Sequence, residues 1–308
     1  IRILDDAGAD APVGEVGTIY IKAPEGAAFS YYLSKAVKEP GELVISDSSG
    51  KAVRTMKGLH AGGAEVGPVG PAQAAGGKKV PWVPGEAGMH RIYWDLRADG
   101  PVRWQSALEF LQGPESGAML PPGNYTVTLK IGGHTASQAF TLVNDPASHA
   151  SQQDMQDRYQ LTAAVLHEVS QLDVALNRLH AIDEQLKALQ VAVQGSSDEH
   201  AVATAARSLS KASQALEAKI TSNPGAEEST LRVPDQVHEQ VGRLAYMLEG
   251  EDDAVTSAIL QQKTLLDPDY RRAIQDYNDF LTGSVASFNQ SMAARNLTGV
   301  VAGATLTP

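Results

Sequence analysis

Two hydrophobic periods divide the chain at Asn144-Asp145-Pro146. Upstream, short stretches alternate apolar and polar positions, the two-residue period of a half-buried strand. They fall at residues 18–22, 29–33, 42–46, 51–56, 88–96, 124–130 and 136–143. Asp47-Ser48-Ser49-Gly50 separates two of them with a polar, glycine-ended loop, which predicts a hairpin. Short strands at such spacing predict an antiparallel sandwich. Two long loops interrupt it. Residues 57–87 are rich in Gly, Pro and Ala and predict irregular chain. Residues 97–121 carry Trp104, Phe110 and Met119 between prolines and glycines, which predicts a loop packed against another part of the protein.

Downstream, apolar residues recur every three or four positions. Val165, Val169, Leu172, Leu176, Leu179, Ile182, Leu186, Leu189 and Val193 make one stripe of a helix of ~40 residues, about 60 Å long. Gly195-Ser196-Ser197-Asp198 ends it and predicts the cap of the next. That second helix carries Val202, Ala205, Leu209, Ala212, Leu216 and Ile220, and stops at Asn223-Pro224-Gly225. Val237, Val241, Leu244 and Leu248 mark a third. Ile274, Tyr277, Leu281, Val285, Phe288 and Met292 mark a last long one, with Asp267-Pro268 as its start or a kink. Short connections predict antiparallel neighbours. The fold class expected is therefore α+β in two domains. Residues 1–146 form the sandwich, 151–294 a bundle of three or four helices, and 295–308 a C-terminal tail.

Composition narrows the partners. A formal charge of -11 argues against a surface that tracks phosphates, so nucleic acid is not expected. The chain has no cysteine, which removes disulfides, thiolate metal sites and cysteine nucleophiles together. No apolar run approaches the ~20 residues of a membrane span. The first residue is Ile1 with no signal-peptide pattern behind it, the mark of a processed product or of part of a longer polypeptide.

Candidate chemistry is sparse. The histidines stand at His60, His90, His134, His149, His167, His180, His200 and His238, with no i, i+4 pair of the kind a helical zinc site needs. The acidic runs Glu251-Asp252-Asp253 and Asp267-Pro268-Asp269 read as solvated or helix-start charges rather than a glycosidase pair. Trp94-Asp95 occurs once, without the repeat of a propeller blade, and reads as a core tryptophan. Sequons at Asn124, Asn289 and Asn296 carry little weight. No nucleophile elbow or phosphate loop is present. The residues thus nominate no catalytic, cofactor-binding or metal-binding set.

Three segments in order carry a family resemblance: Gly26-Ala27-Ala28-Phe29-Ser30-Tyr31-Tyr32-Leu33, the stretch from Leu43 through Asp47-Ser48-Ser49-Gly50 to Thr55, and Gly88-Met89-His90-Arg91-Ile92-Tyr93-Trp94-Asp95-Leu96-Arg97. With Pro121-Pro122-Gly123-Asn124-Tyr125-Thr126-Val127 and Asn144-Asp145-Pro146, they resemble the C-terminal region of bacterial BNR-repeat, sortilin-like propeller proteins, often labelled glycosyl hydrolase or exo-sialidase-like. Ala175-Leu176-Asn177-Arg178-Leu179 and Ser287-Phe288-Asn289 extend the likeness into the helical half, and Ile3-Leu4-Asp5-Asp6 resembles the end of a last propeller blade. The resemblance implies a β-propeller followed by an Ig-like sandwich similar to flagellar hook-capping modules, then a helical segment. The propeller, where any active site would lie, is outside this chain, so no catalytic residue carries over. Residues 1–22, with Gly14-Glu15-Val16-Gly17, also resemble a strand-turn segment of acyl-adenylate-forming enzymes, over too short a stretch and without their phosphate loop.

The expectation is a non-catalytic accessory module of a secreted, periplasmic or cell-surface bacterial protein. It would brace, dock or dimerise a β-propeller domain of the same or another chain, with the long helix as the docking element and a homodimer through the helices as one outcome. Two alternatives stand beside it: a segment completing a glycoside-acting propeller enzyme, and a free-standing surface binding or assembly protein.

Overall fold

A computed structural model describes residues 26–39, 41–61, 79–105, 113–145, 148–222, 234–249 and 254–308, with the backbone of two short strands at 3–4 and 17–18. The fold is α+β, and the chain divides into two compact units. One comprises residues 1–99, 116–159 and 250–254; the other comprises 100–115, 160–249 and 255–308.

The first unit holds the strands. β1 (Ile3–Leu4), β3 (Ala27–Leu33) and β8 (Gly88–Trp94) form an antiparallel sheet in the order β1-β3-β8. β2 (Gly17–Thr18), β4 (Glu42–Asp47), β5 (Ala52–Lys57), β9 (Gly123–Ile131) and β10 (His134–Leu142) form a second, in the order β2-β10-β9-β4-β5. The expected hairpin joins β4 to β5. Asp47 Oδ1 accepts from the amides of Ser49 and Lys51 at 2.9 and 3.1 Å and from the Ser49 hydroxyl at 2.6 Å, and Gly50 takes φ +84. The hydrogen bonds to Ser49, the largest cause, hold the Asp47 carboxyl below its usual range.

Period-two alternation places Phe29, Tyr31, Ile92 and Trp94 of one sheet and Leu43, Ile45, Val127, Leu129 and Phe140 of the other in one shared core. Its centre is aromatic. Phe140 meets Phe29 edge-on at 5.6 Å and Trp94 at 6.1 Å, and stacks with Tyr125 at 5.9 Å. Trp94 is 1% exposed, and its indole N–H donates to the Arg97 carbonyl at 2.9 Å, so the ring is buried without orphaning its polar atom. That is the core tryptophan expected of Trp94-Asp95.

Two sequence expectations change here. The strand expected at 18–22 is described only at Gly17–Thr18, where it pairs parallel to β10, so the second sheet is not wholly antiparallel. Its remaining residues lie outside those described. The ends of the 57–87 loop are ordered into a two-stranded sheet, β6 (Leu59–Ala61) against β7 (Lys79–Pro81). Each strand is three residues long, too short for alternation to reveal.

The second unit is helical. α1 (Gln152–Ala192) enters it at Gln160, followed by α2 (Glu199–Ile220), α3 (Val237–Leu248), α4 (Ser257–Phe280) and α5 (Ala286–Ala293). The stripe read on α1 is buried, with Leu172 and Ile182 at 0% exposure, except for the half-buried Leu189. Asp198 sits at the N-cap of α2 but makes no capping bond; its carboxylate lies 3.5 Å from Arg295 Nε. Of the start or kink expected at Asp267-Pro268, the start does not occur. The last helix begins at the Thr256 cap, whose hydroxyl accepts from the Ile259 amide, and runs through Pro268 to Phe280. A π turn over Leu281–Val285 joins α4 to α5, and Leu281, Val285, Phe288 and Met292 stay buried through it.

Candidate functional site

The catalytic-type side chains that do converge were not nominated by spacing. They lie in the helical unit, on α1, α3 and the end of α2. His238 of α3 and Asp173 of α1 are 1% and 0% exposed, and His238 Nε2 lies 2.6 Å from Asp173 Oδ1. The other ring nitrogen faces Glu239 Oε1 at 3.4 Å, an ion-pair separation rather than a hydrogen bond.

Glu239 itself is held by three donors. The Thr221 hydroxyl donates at 2.5 Å, the Ser222 amide at 3.1 Å and the Gln236 amide at 2.9 Å. The last bond is half of a capping box, since Glu239 is the third residue of α3 and Gln236 its N-cap. One carboxylate therefore closes the start of α3 and grips the end of α2. Trp104 is 2% exposed and meets the His238 ring edge-on at 5.6 Å. The strap that carries it is tied to α1: Asn177 donates to the Arg103 carbonyl at 2.8 Å and accepts from the Gln105 amide at 2.9 Å. So the 97–121 loop does pack through an aromatic residue. Phe110 lies outside the described residues, and Met119 is 43% exposed.

The electrostatics follow from burial against pairing. Burial pushes His238 toward neutrality, but the flanking Asp173 and Glu239 carboxylates outweigh it and raise the imidazole to about 9. Burial pushes Glu239 up, and the imidazolium with the Thr221 and Ser222 donors brings it down to about 2. The ring is thus an imidazolium clamped between two carboxylates. Nε2 bonds to Asp173, Nδ1 faces Glu239 at ion-pair distance, and the His238 side chain is 1% exposed. The cluster links α1, α3, the end of α2 and the Trp104 strap.

The other candidates are surface features. His134, His149, His167, His180 and His200 are exposed, His90 stacks on Tyr31 at 5.0 Å, and the His60 side chain lies outside those described. Asp267 pairs with Lys263, which also reaches Glu168 at 2.8 Å, and Asp269 pairs with Arg272 at 3.1 Å. Glu251-Asp252-Asp253 lies outside the described residues. Among the described residues no group of three or more His, Asp or Glu side chains is arranged to hold a metal ion, and no helix is long and apolar enough to cross a membrane.

An exposed surface of different character lies on the sheet of β3 and β8. Its outward positions are Ala28, Ser30 and Tyr32 opposite Tyr93, Arg91 and Met89. Tyr32, Met89 and Tyr93 are 45, 57 and 44% exposed. Arg91 Nε reaches Ser30 Oγ at 3.4 Å between them. Two tyrosines and a methionine around one arginine have the composition of an interface centre.

No protein-family model matches the chain, and no curated protein does.

Proposed function

We propose that this chain is a non-catalytic interaction module, an Ig-like sandwich followed by an antiparallel helical bundle, that docks on a β-propeller domain of the same or another chain. The observation that carries the reading is the outward face of β3 and β8, where Tyr32, Met89 and Tyr93 stand exposed around Arg91. Those residues belong to the two segments whose sequence resembles the BNR-repeat, sortilin-like proteins, 26–33 and 88–97. The setting that resemblance implies is secreted, periplasmic or cell-surface.

Two details support the Ig-like reading. Trp94 fills the shared core of the sheets. The Tyr125 hydroxyl, near the start of β9, donates back to the Pro121 carbonyl at 2.7 Å, as a tyrosine corner does. Docking passes from the long helix to the sheet, because the α1 stripe is spent on its own unit's core. The closed His238 cluster supports the non-catalytic part.

The test pairs the Met89→Glu/Tyr93→Glu double variant with the parent chain. The variant keeps the parent's melting temperature within a few degrees and loses association with a propeller domain from the natural protein. Turnover of fluorogenic glycosides by the isolated chain would contradict the proposal.

A further inference from the structure

Residues 299–306 run across the helical unit without helix or strand, yet their main chain is read closely by helix side chains. Asn289 donates to the Val300 carbonyl at 2.9 Å and accepts from the Val300 amide at 2.8 Å. Gln185 does the same for Val301, at 2.9 and 2.8 Å. Asn278 does the same for Leu306, both bonds 2.8 Å. Arg178 adds a bond to the Ala304 carbonyl at 2.6 Å, and the Tyr277 hydroxyl one to Ala302 at 3.4 Å. A side-chain amide carries the donor and acceptor of a peptide unit, so each such pair holds one residue whatever its side chain.

Selection enters at four positions. Val300 is 5% exposed and Leu306 half-buried, whereas Val301 is 77% exposed. A Cβ on residue 299 would stand 2.2 Å from Asn289 Oδ1. One on residue 303, where φ is +76, would stand 2.8 Å from the Arg178 guanidinium. The segment leaves α5 through a Schellman turn: Asn296 has φ +58, and Leu297 N–H donates to the Met292 carbonyl at 3.0 Å.

We propose that the face formed by α1, α4 and α5 is a binding site for an extended peptide of pattern Gly-aliphatic-x-x-Gly-x-x-aliphatic. The chain's own residues 299–306 fill it here, and the same segment of a second copy is its partner in trans. The tether supplies the segment at an effective concentration of order millimolar, so a contact that buries one side chain fully is enough to hold it in cis. Delivered by a second copy, the identical contacts make an exchanged dimer. The site does not depend on the docking face of the β3–β8 sheet.

The experiment inserts a protease site between Thr298 and Gly299 of the full chain, which folds before it is cut. After cutting, the released 299–308 peptide co-elutes with the protein, and excess fluorescein-labelled peptide of the same sequence replaces it. A labelled peptide with Gly303→Val binds at least about tenfold more weakly, as does the native peptide to a cut Asn278→Ala protein, which loses both bonds to Leu306. Loss of the peptide on cutting with no rebinding of the labelled one overturns the proposal. So does a peptide that stays but never exchanges, or equal binding of the Gly303→Val and native peptides.

Discussion

His238 Nε2 stands 2.6 Å from Asp173 Oδ1, with the imidazole 1% and the carboxylate 0% exposed. The pair joins the first turn of α3 to the middle of α1, and its Asp173 Oδ2 has no further hydrogen-bond partner among the described residues. Removing the cation leaves the buried Asp173 and Glu239 carboxylates without their shared counter-charge. His238→Ala therefore destabilises the protein by about 3–5 kcal/mol, the cost of breaking a buried pair from one side. Urea unfolding of the helical unit, followed by circular dichroism, checks the figure.

The same residues set limits on both sides of neutral pH. Burial opposes the charge on His238 and the two carboxylates prevail, raising it from 6.5 to about 9. Its contribution is complete below 6.5 and is lost as pH rises through about 9. Glu239 is lowered from 4.5 to about 2 by the imidazolium and its hydroxyl and amide donors, against burial. Its contribution is complete above 4.5 and is lost as pH falls through about 2. Both are whole between about 4.5 and 6.5. The difference in unfolding midpoint between parent and His238→Gln shrinks on the alkaline side of that window. A difference that stays constant to pH 10 would contradict the pairing.

Ser213 tests the helix face. Its hydroxyl is buried at 1% residue exposure and has no hydrogen-bond partner among the described residues. Ser213→Ala removes an orphaned donor and leaves packing intact, so stability is unchanged or rises by up to about 1 kcal/mol. A loss of more than that, read from denaturant midpoints, would mean the hydroxyl has a partner.

Gly26 tests the entry to β3. It takes φ +107, and a Cβ there would lie 1.9 Å from the Trp94 carbonyl oxygen. Gly26→Ala costs about 1–3 kcal/mol for the dihedral alone. The clash adds to that, since Ala27 pairs with Trp94 directly across the ladder. Differential scanning calorimetry reads the loss as a lower melting temperature.

How much of this the sequence disclosed depends on what each residue contacts. Apolar stripes are local, and Leu172, Leu176, Leu179 and Ile182 are buried where the period of α1 placed them. On α2 the buried face runs through Ala206 and Ser213 rather than Ala205 and Ala212. Neighbouring small residues differ little in hydropathy, so the period alone chose the wrong ones. Asp173 carried a usable signal, an acid adjoining the buried Leu172 and Leu176 on a core-facing helix. Its partner His238 is 65 residues away and announced nothing. At Pro268 the pattern allows a start or a kink within a longer helix, and only the Thr256 cap decides against the start. The amide pairs of Gln185, Asn278 and Asn289 were illegible, since polar residues on a helix surface have no period that points to a main-chain partner.

The exposed face of β8 is open to a direct test of docking. A benzophenone amino acid replacing Tyr93, expressed in the natural host and irradiated, labels whatever lies against β8. A control at the exposed Lys211 of α2 reports background. A crosslink forms at position 93 and not at 211, and its partner peptide maps by mass spectrometry to a β-propeller domain of the same or another chain. Labelling at 93 no greater than at 211 would contradict docking through this face.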